Sequence, residues 1–514
     1  MKLLANNGKM INDTASLWQC CEIVFDLLSL GITSPDSNEF WCIFSLGDNM
    51  KKVPAFARDK DKIAVRFMPQ SSGEWQWSFY SADSDNAKFS GSFKCTGPEH
   101  GNHGPVSVHD KYHFAYADGS IYRPFGTTSY GWIHQPEAIT RQTLQSLKDS
   151  PFNKIRMCVL PHYSKWSEEH TEFFPFIKQG DSWDYSSFDY RYFDRLDELV
   201  LSLQKLGVEA DLILFHPYSD KWAFDKMPAE ADDRYVEYVT RRYAAYSNVW
   251  WSLANEYDLL KEKTLADWDR FGIIIAAEDP YGHLCSNHNY IEFYDYSLEE
   301  MTHCCIQDGL AVSENGRAVM LRNAWHKPVI YDEVCYEGNF DARWGDLDDI
   351  ELTHRFWEGI AGGTYVGHGE VCAAKGHSDD EVWTGIGGKL RGSSKNRIAF
   401  LRELLEAGPE CGLEPIDRWW YTNIVGVPGK YYLFYFGRTS PGEIPFHFPA
   451  RDLDLVDGTK FRADIIDTLD MQIIPVPGEF SSCKRNNYEY GDENGRTISL
   501  PEKPYLALRI EVIQ

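Results

Sequence analysis

Between residues 106 and 410, short apolar runs alternate with longer segments whose apolar residues repeat at helical spacing. No other feature constrains the fold as strongly, because this pattern is typical of β-strands that are each followed by an α-helix. Eight such units in about 300 residues predict an α/β fold, a (β/α)₈ TIM barrel. The predicted strands are Tyr122–Thr127, Lys154–Leu160, Glu209–Phe215, Val249–Ala254, His283–Asn287, Met301–Ile306, Pro328–Tyr331 and Gly363–Gly367. The predicted helices include Tyr192–Leu206, Arg234–Ala245, Thr264–Ala277, Asp349–Ile360 and Lys395–Ala407.

A doubly wound parallel sheet is the alternative fold. Its first strand normally leads into a Gly-rich turn that binds phosphate. Residues 126–131 read Gly-Thr-Thr-Ser-Tyr-Gly, which does not match the G-x-G-x-x-G pattern. The barrel is therefore the preferred prediction.

Both flanks of the predicted barrel have the pattern of β-structure. The first hundred residues hold short aromatic and β-branched runs, such as Lys62–Met68 and Glu74–Ser81, and similar runs return beyond residue 412. Short strands at this spacing predict a small all-β sandwich on each side. The predicted domains are an N-terminal β-sandwich over 1–102, the barrel over 103–411 and a C-terminal β-sandwich over 412–514.

The net charge and the aromatic content indicate which class of molecule the protein binds. The 514 residues include 77 acidic and 51 basic side chains, a net charge of −26. This charge repels nucleic acid and anionic membranes, and no run of about 18 apolar residues is present to span a bilayer. The 17 Trp, 29 Tyr and 29 Phe supply flat faces that stack on sugar rings. The expected partner is an oligosaccharide or glycoside, with no nucleic acid and no membrane.

The cysteines and the N-terminal segment bear on the compartment. Twelve cysteines are scattered without a C-x-x-C pair, and several, such as Cys158, lie in apolar runs. The N-terminal segment has no apolar stretch of signal-peptide length. We therefore predict a cytoplasmic protein whose cysteines are free thiols, with disulfides as the less favoured alternative. The sequence leaves the oligomeric state open, and a homo-oligomer is one possibility.

Two glutamates stand where predicted barrel strands end, which is where barrel enzymes carry their chemistry. Glu256 follows the fourth apolar run and Glu333 follows the seventh, so the two can face each other across the ring. Carboxylates about 5–5.5 Å apart are typical of retaining glycosidases, whereas a pair about 6.5–9.5 Å apart inverts through water. Taken alone, each glutamate is equally a solvated loop residue or an ion-pair partner. Together they predict a glycosidase with Glu256 and Glu333 as its catalytic residues.

Three segments resemble a known family. Trp251–Glu256 is similar to the Asn-Glu motif on strand four of clan A retaining glycoside hydrolases, in which that Glu is the acid/base. Lys327–Glu337 and Gly387–Arg402 resemble the apiosidase-like branch of that clan, specifically its members with a β-domain on each side. The resemblance covers essentially the whole chain. It implies a double displacement in which Glu333 is the nucleophile and Glu256 the acid and then the base.

The resemblance also implies substrate-binding residues by position. Arg156 matches the strand-two Arg that keeps the nucleophile ionised, and Asn255 matches the residue that binds the sugar 2-hydroxyl. His216 and His288 follow strands three and five, where they fit donors that line the site, and Trp383 fits a floor for the sugar. Each of these two histidines and the tryptophan is also well explained as a structural residue of the core.

One position departs from the clan pattern. Many clan members place a Tyr beside the nucleophile from the end of strand six, whereas this strand ends in Gln307. Gln307 or Tyr336 is expected to take that place. Glu337 is a rival nucleophile, ranked second because it lies four residues beyond Glu333, and Glu370 also lies near a strand end.

Other chemistries have less support. The sequence has no H-E-x-x-H motif and no G-x-x-x-x-G-K-[ST] motif, so neither a metal nor another cofactor is expected. A non-catalytic carbohydrate-binding protein, an inverting glycosidase and a transglycosidase stay open as alternatives. Analogy with the branch indicates plant-derived oligosaccharides, but the residues do not identify the sugar or the linkage.

Overall fold

A closed parallel barrel forms the centre of the computed structural model, which describes residues 1–33, 40–162, 172–309, 316–373, 382–416, 423–449 and 453–513. Within these ranges, eight parallel strands lie in the order β5-β4-β3-β2-β1-β8-β7-β6, and a bridge from His288 to Cys305 joins β5 to β6. The TIM-barrel prediction is therefore confirmed. The strands are β1 (Gly126–Thr128), β2 (Lys154–Cys158), β3 (Glu209–Phe215), β4 (Val249–Ala254), β5 (Cys285–Ser286), β6 (Cys304–Gln307), β7 (Val329–Glu333) and β8 (Tyr365–His368).

Amphipathic helices cover the outside of the barrel. In Tyr190–Lys205, the buried residues Phe193, Leu196, Val200 and Leu203 recur at helical spacing and form one apolar stripe. Of the described helices, none combines the length and the apolarity needed to cross a bilayer. The helices are α1 (Glu137–Lys148), α2 (Tyr190–Lys205), α3 (Ala229–Tyr243), α4 (Leu265–Glu278), α5 (Gly316–Trp325), α6 (Asp349–Ala361) and α7 (Ser394–Glu406).

Two details of the barrel differ from the sequence-based prediction. The first strand begins at Gly126, because Ile121–Tyr122 pairs with a separate hairpin, Val106–His109 and His113–Tyr116. No helix lies between β5 and β6, although residues 287–303 are all described. The Tyr296 hydroxyl holds this connection to the barrel by donating to the carbonyls of Asn287 and Cys305.

The N-terminal region is a sandwich of two sheets. Phe25 stacks on Phe79 and Phe44 stacks on Phe67 across its core, each with ring centroids 3.9 Å apart. Most strand pairs are antiparallel as predicted, but Lys2–Asn6 and Thr14–Leu17 each pair in parallel with a neighbour. In spatial order, one sheet contains Lys9–Met10, Lys2–Asn6, Cys21–Asp26, Lys62–Phe67 and Phe56–Asp59. The other contains Thr14–Leu17, Ser84–Pro98, Gly73–Ser81, Phe40–Leu46 and Asn49–Pro54.

A buried ionic network fixes this sandwich to the barrel. Arg66 of the sandwich donates to Glu22 at 2.9 Å and to Asp197 of α2 at 2.9 Å. Asp197 also accepts from Arg242 of α3 at 2.8 Å. Because each buried charge has an opposite partner, the contact holds the two units in one arrangement.

The C-terminal region is a sheet that curls around its own core. The Tyr432 and Phe448 rings lie 4.7 Å apart although their strands are distant in the sheet order. Its described strands, in spatial order, are Glu414–Pro415, Ile424–Val427, Tyr431–Tyr435, Leu506–Val512, Lys460–Asp467, Phe480–Lys484, Glu489–Asp492 and His447–Pro449. Gln472–Pro475 pairs with Lys460–Asp467, and Glu443–Pro445 pairs separately with Thr497–Ser499. The domain boundaries at residues 102 and 411 stay predictions.

Candidate active site

Glu256 and Glu333 are both buried at the carboxyl ends of β4 and β7, with 5% and 8% of their surfaces exposed. His288, which follows β5, connects them. Its Nδ1 accepts from the Glu256 backbone N–H at 3.4 Å, and its Nε2 lies 3.7 Å from Glu333 Oε1. Because Nδ1 is an acceptor, the neutral ring carries its proton on Nε2. Burial lowers the pKa of His288 well below its ordinary value and so keeps the ring neutral.

The two carboxyl groups occupy different electrostatic environments. Arg156, on β2, donates from Nη1 to Glu333 Oε1 at 3.1 Å and from Nη2 to Asn255 Oδ1 at 2.8 Å. Burial and then the charge of Glu333 raise the pKa of Glu256 to about 7. Burial and the charge of Glu333 thus favour the protonated form of Glu256, while a guanidinium lies against Glu333.

The backbone at Glu256 is strained. Its φ of 50° and ψ of 54° lie in the left-handed region, which a residue with a Cβ rarely adopts. Such a conformation costs about 1–3 kcal/mol and persists where the surrounding structure imposes it, most often at functional sites. The strand ends at Ala254, and this turn directs the Glu256 carboxyl back over the barrel.

Glu333 receives two tyrosines in addition to Arg156. The Tyr130 hydroxyl donates to Glu333 Oε1 and lies 3.1 Å from the hydroxyl of Tyr336, which also hydrogen-bonds Glu333. Tyr336, one of the two residues expected beside the predicted nucleophile, therefore contacts Glu333. Tyr130, two residues beyond β1, escaped the sequence analysis because the family pattern places this tyrosine on strand six. The Thr-Thr-Ser-Tyr segment directly after a predicted strand was the available signal.

Glu256 has its own pair of donors. The Tyr218 hydroxyl and the Gln307 side-chain amide both donate to its carboxylate. Gln307 therefore lies beside Glu256, whereas the sequence predicted that it or Tyr336 lies beside Glu333. Tyr218 was not identified from the sequence, because it lies in a turn after β3 rather than at a strand end.

A row of rings connects the two tyrosines. The His162 ring stacks on Tyr130 with centroids 5.0 Å apart and contacts Tyr218 at 5.2 Å. His162 lies beyond the end of β2 and is 6% exposed. It was also missed from sequence, because no motif distinguishes it from other histidines. The row Tyr130–His162–Tyr218 therefore links the tyrosine that contacts Glu333 to the tyrosine that contacts Glu256.

Several buried polar atoms around the two carboxyl groups have no hydrogen-bond partner among the described residues. They include Arg156 Nε, Asn255 Nδ2, His288 Nε2 and Gln307 Oε1. Asn255, His288 and Gln307 are at the ends of β4, β5 and β6, and Asn255 and His288 are fully buried. Buried polar groups normally have partners, so their unpartnered atoms make this the candidate site for polar groups of a ligand.

The two remaining predicted site residues have partners within the protein. His216 Nδ1 accepts from the Tyr218 N–H at 3.2 Å, and its Nε2 donates to the Leu160 carbonyl at 3.1 Å. Both ring nitrogens are therefore engaged. Trp383 is 1% exposed and donates to Thr127 Oγ1 at 2.8 Å. Their roles in sugar binding stay predictions, and the structure shows both residues supporting the barrel rim.

A charged layer lies directly below the site. Lys154 Nζ contacts Asp211 Oδ2 at 2.7 Å and Asp332 Oδ1 at 2.8 Å, and all three side chains are buried. Cys305 donates from Sγ to the other oxygen of Asp332 at 2.9 Å. Although burial raises the pKa of a carboxyl group, Lys154 and Arg156 hold the pKa of Asp332 below its ordinary value. Asp332 is thus an ionised support next to Glu333.

Glu337, His368 and Glu370 bring possible metal-ligating atoms within 4.8 Å of one another. The carboxylates of Glu337 and Glu370 already accept backbone N–H groups from residues 391–394 at 2.5–3.1 Å. Because backbone N–H donors already engage these carboxylate oxygens, the arrangement suits anchoring the segment at the start of α7. Glu337 therefore lies with this segment and not with the partners of Glu333. The expectation of no metal stays a prediction.

Comparison with known proteins identifies relatives of this chain. The model of the apiosidase-like catalytic domain family matches residues 109–406, and a domain of unknown function, DUF5605, matches residues 419–511. A crystal structure from Bacteroides vulgatus ATCC 8482, provisionally named a glycoside hydrolase, is 35% identical with a TM-score of 0.90 over 98% of this chain and 100% of that chain. A glycoside hydrolase family 5 structure from the same organism shares the fold at 16% identity, with a TM-score of 0.57 over 80% of this chain and 94% of that chain. No curated protein sequence matches the chain.

Proposed function

Because the chain belongs to the apiosidase-like catalytic domain family and is a glycoside hydrolase, we propose that it cleaves its substrate with retention of configuration, using Glu333 as nucleophile and Glu256 as acid/base. One observation carries the proposal. The two glutamates have a common neighbour in His288, yet Arg156 lies against Glu333 while burial raises the pKa of Glu256 to about 7. Different protonation states in one pair are what acid and nucleophile require.

The proposed reaction has two displacements. Glu333 attacks the anomeric carbon as Glu256 donates its proton to the departing glycosidic oxygen, which leaves with the bonding electrons. Glu256 then takes a proton from water, the water oxygen bonds to the anomeric carbon, and the bond to Glu333 breaks. Arg156 and Tyr130 orient the nucleophile, and the Asn255 Nδ2 and His288 Nε2 protons are available to sugar hydroxyls.

The substrate and setting form the finer part of the proposal. Analogy with the family favours plant-derived oligosaccharides, and the small exposed fractions of Glu256 and Glu333 favour a short glycoside over a polymer. All twelve cysteines lie in described residues and are free thiols, eight of them buried. Free thiols in this number favour the reducing cytoplasm as the compartment.

A two-stage experiment tests this proposal. A screen of aryl glycosides identifies the sugar that is cleaved, and proton NMR of the first product formed shows its anomeric configuration. We expect the configuration of the substrate, and a 2-deoxy-2-fluoro glycoside of that sugar should add one glycosyl unit to Glu333. An inverted product, labelling of another residue such as Glu337, or binding of sugars without any turnover would each overturn the proposal.

The raised pKa of Glu256 predicts a pH dependence. We expect kcat/KM to fall above about pH 7, because the acid must be protonated for the first displacement. The Tyr218 hydroxyl stabilises the ionised form, so Tyr218→Phe should move this alkaline limb up by about one pH unit. A kcat/KM profile from pH 5 to 10 measures the shift, with the exposed Tyr488→Phe as control. A limb that stays in place or moves down in Tyr218→Phe would contradict the assignment.

A further inference from the structure

An exposed apolar loop tip borders the candidate site on the side of Glu256. Of the residues that follow His288, Tyr290, Ile291 and Phe293 are 43%, 72% and 39% exposed. We call residues 289–293 the β5 tip. It lies at the carboxyl end of β5, on the same face of the barrel as both catalytic glutamates.

The backbone of the β5 tip is held rigidly to the segment that carries Glu256. The N–H groups of Tyr290, Ile291 and Glu292 all donate to the Asp258 carboxylate, at 2.6, 2.8 and 2.9 Å. Asp258 is two residues from Glu256. In addition, the Tyr257 N–H donates to the His288 carbonyl at 2.9 Å. Three successive donors to one carboxylate fix the conformation of this exposed loop, and Phe293 also packs on Trp325 with ring centroids 5.8 Å apart.

A second set of bonds fixes the tip to β6. Asn289 donates from Nδ2 to the Gln307 carbonyl and accepts from the Gln307 N–H, both at 3.1 Å. The side chain of Gln307 in turn donates to Glu256. The tip therefore keeps a constant position relative to the proton donor. Because it is already ordered, a ligand that binds there loses little free energy to ordering the loop.

The proposed role of Glu256 indicates which part of the substrate lies against the β5 tip. Glu256 protonates the oxygen that departs, so the leaving group lies against the elements around Glu256, while the sugar that is attacked lies over Glu333 and Arg156. Resting on the proposed function, we infer that Tyr290 and Ile291 form the leaving-group subsite and select leaving groups with a flat apolar face. An aromatic aglycone and the hydrogen-bearing face of a second sugar ring both present such a face.

The test compares leaving groups on one sugar. For the sugar found in the aryl glycoside screen, kcat/KM is measured on its phenyl glycoside, its disaccharide and its methyl glycoside. Taking the ratio of variant to wild type on each substrate removes differences in intrinsic reactivity. Tyr290→Ala should lower kcat/KM by about fivefold to tenfold on the leaving groups with a flat face and by less than about twofold on the methyl glycoside. A loss of kcat/KM on the phenyl glycoside alone identifies an aromatic aglycone as the leaving group that the tip binds. A loss on the disaccharide identifies a second sugar.

Two further variants keep the inference open to refutation. Ile291→Ser should show the same selective loss, whereas Ile273→Ser, which removes an isoleucine of α4 that is 57% exposed, should not. Equal losses on all three substrates, or no loss on any, would overturn the subsite while leaving the glycosidase intact. A wild-type protein that cleaves no glycoside would instead refute the proposed function. A change of oligomeric state in Tyr290→Ala, seen by sedimentation velocity, would assign the tip to a contact between copies and also overturn the inference.

Discussion

Replacing Glu333 with glutamine is expected to lower kcat by at least about 10⁴-fold, since the amide neither attacks the anomeric carbon nor leaves as a carboxylate. The amide retains the size of the side chain and its contacts with Tyr130 and Arg156, so the fold should persist. Stopped assays on the glycoside found by the screen measure the loss. Circular dichroism and the thermal midpoint check that the variant is folded.

Rescue of glycine variants by azide distinguishes the roles of the two glutamates, because the configuration of the glycosyl azide differs between them. In Glu333→Gly, azide can enter the vacated space and displace the leaving group once, which gives a glycosyl azide of inverted configuration. In Glu256→Gly, azide replaces water in the second displacement, and two displacements give retained configuration. Rescue with the opposite pair of configurations, or a Glu333→Gln enzyme with near wild-type turnover, would show that the roles are wrongly assigned.

Replacing Lys154 with methionine should destabilise the protein by about 3–5 kcal/mol, because it leaves Asp211 and Asp332 as buried charges without their shared ammonium group. Urea denaturation followed by tryptophan fluorescence gives the change in the free energy of unfolding. The deficit should shrink at low pH, since protonation removes the unpaired charges.

Matched variants test the cause of this loss. Lys62→Met removes a lysine from an exposed ion pair with Asp59, which are 42% and 38% exposed, and should cost at most about 1 kcal/mol. Adding Asp211→Asn and Asp332→Asn to Lys154→Met should recover much of the stability. A Lys154→Met protein no less stable than Lys62→Met would contradict the view that this layer carries paired buried charge.

The alternation of strands and helices, and the positions of Glu256, Glu333 and Arg156, were predictable from the chain alone. The reason is local: an apolar run long enough for a buried strand is immediately followed by a carboxylate, and barrel geometry places all such ends on one face. The position of Asn255 was predictable from the Asn-Glu motif that also contains Glu256. The family resemblance added roles to these residues, and the family match and the barrel confirmed the fold and the enzyme class.

Only the tertiary structure decided which side chains complete the site. Tyr130 and Tyr218 each contact one glutamate, and His162 packs between the two tyrosines. The three residues come from loops after different strands, and their directions depend on backbone turns that no local pattern encodes. The absence of a helix between β5 and β6 likewise follows from the long-range bonds of Tyr296. Strand ends are set by nearest neighbours in sequence, whereas the partners of a buried polar group are set by packing across the whole barrel.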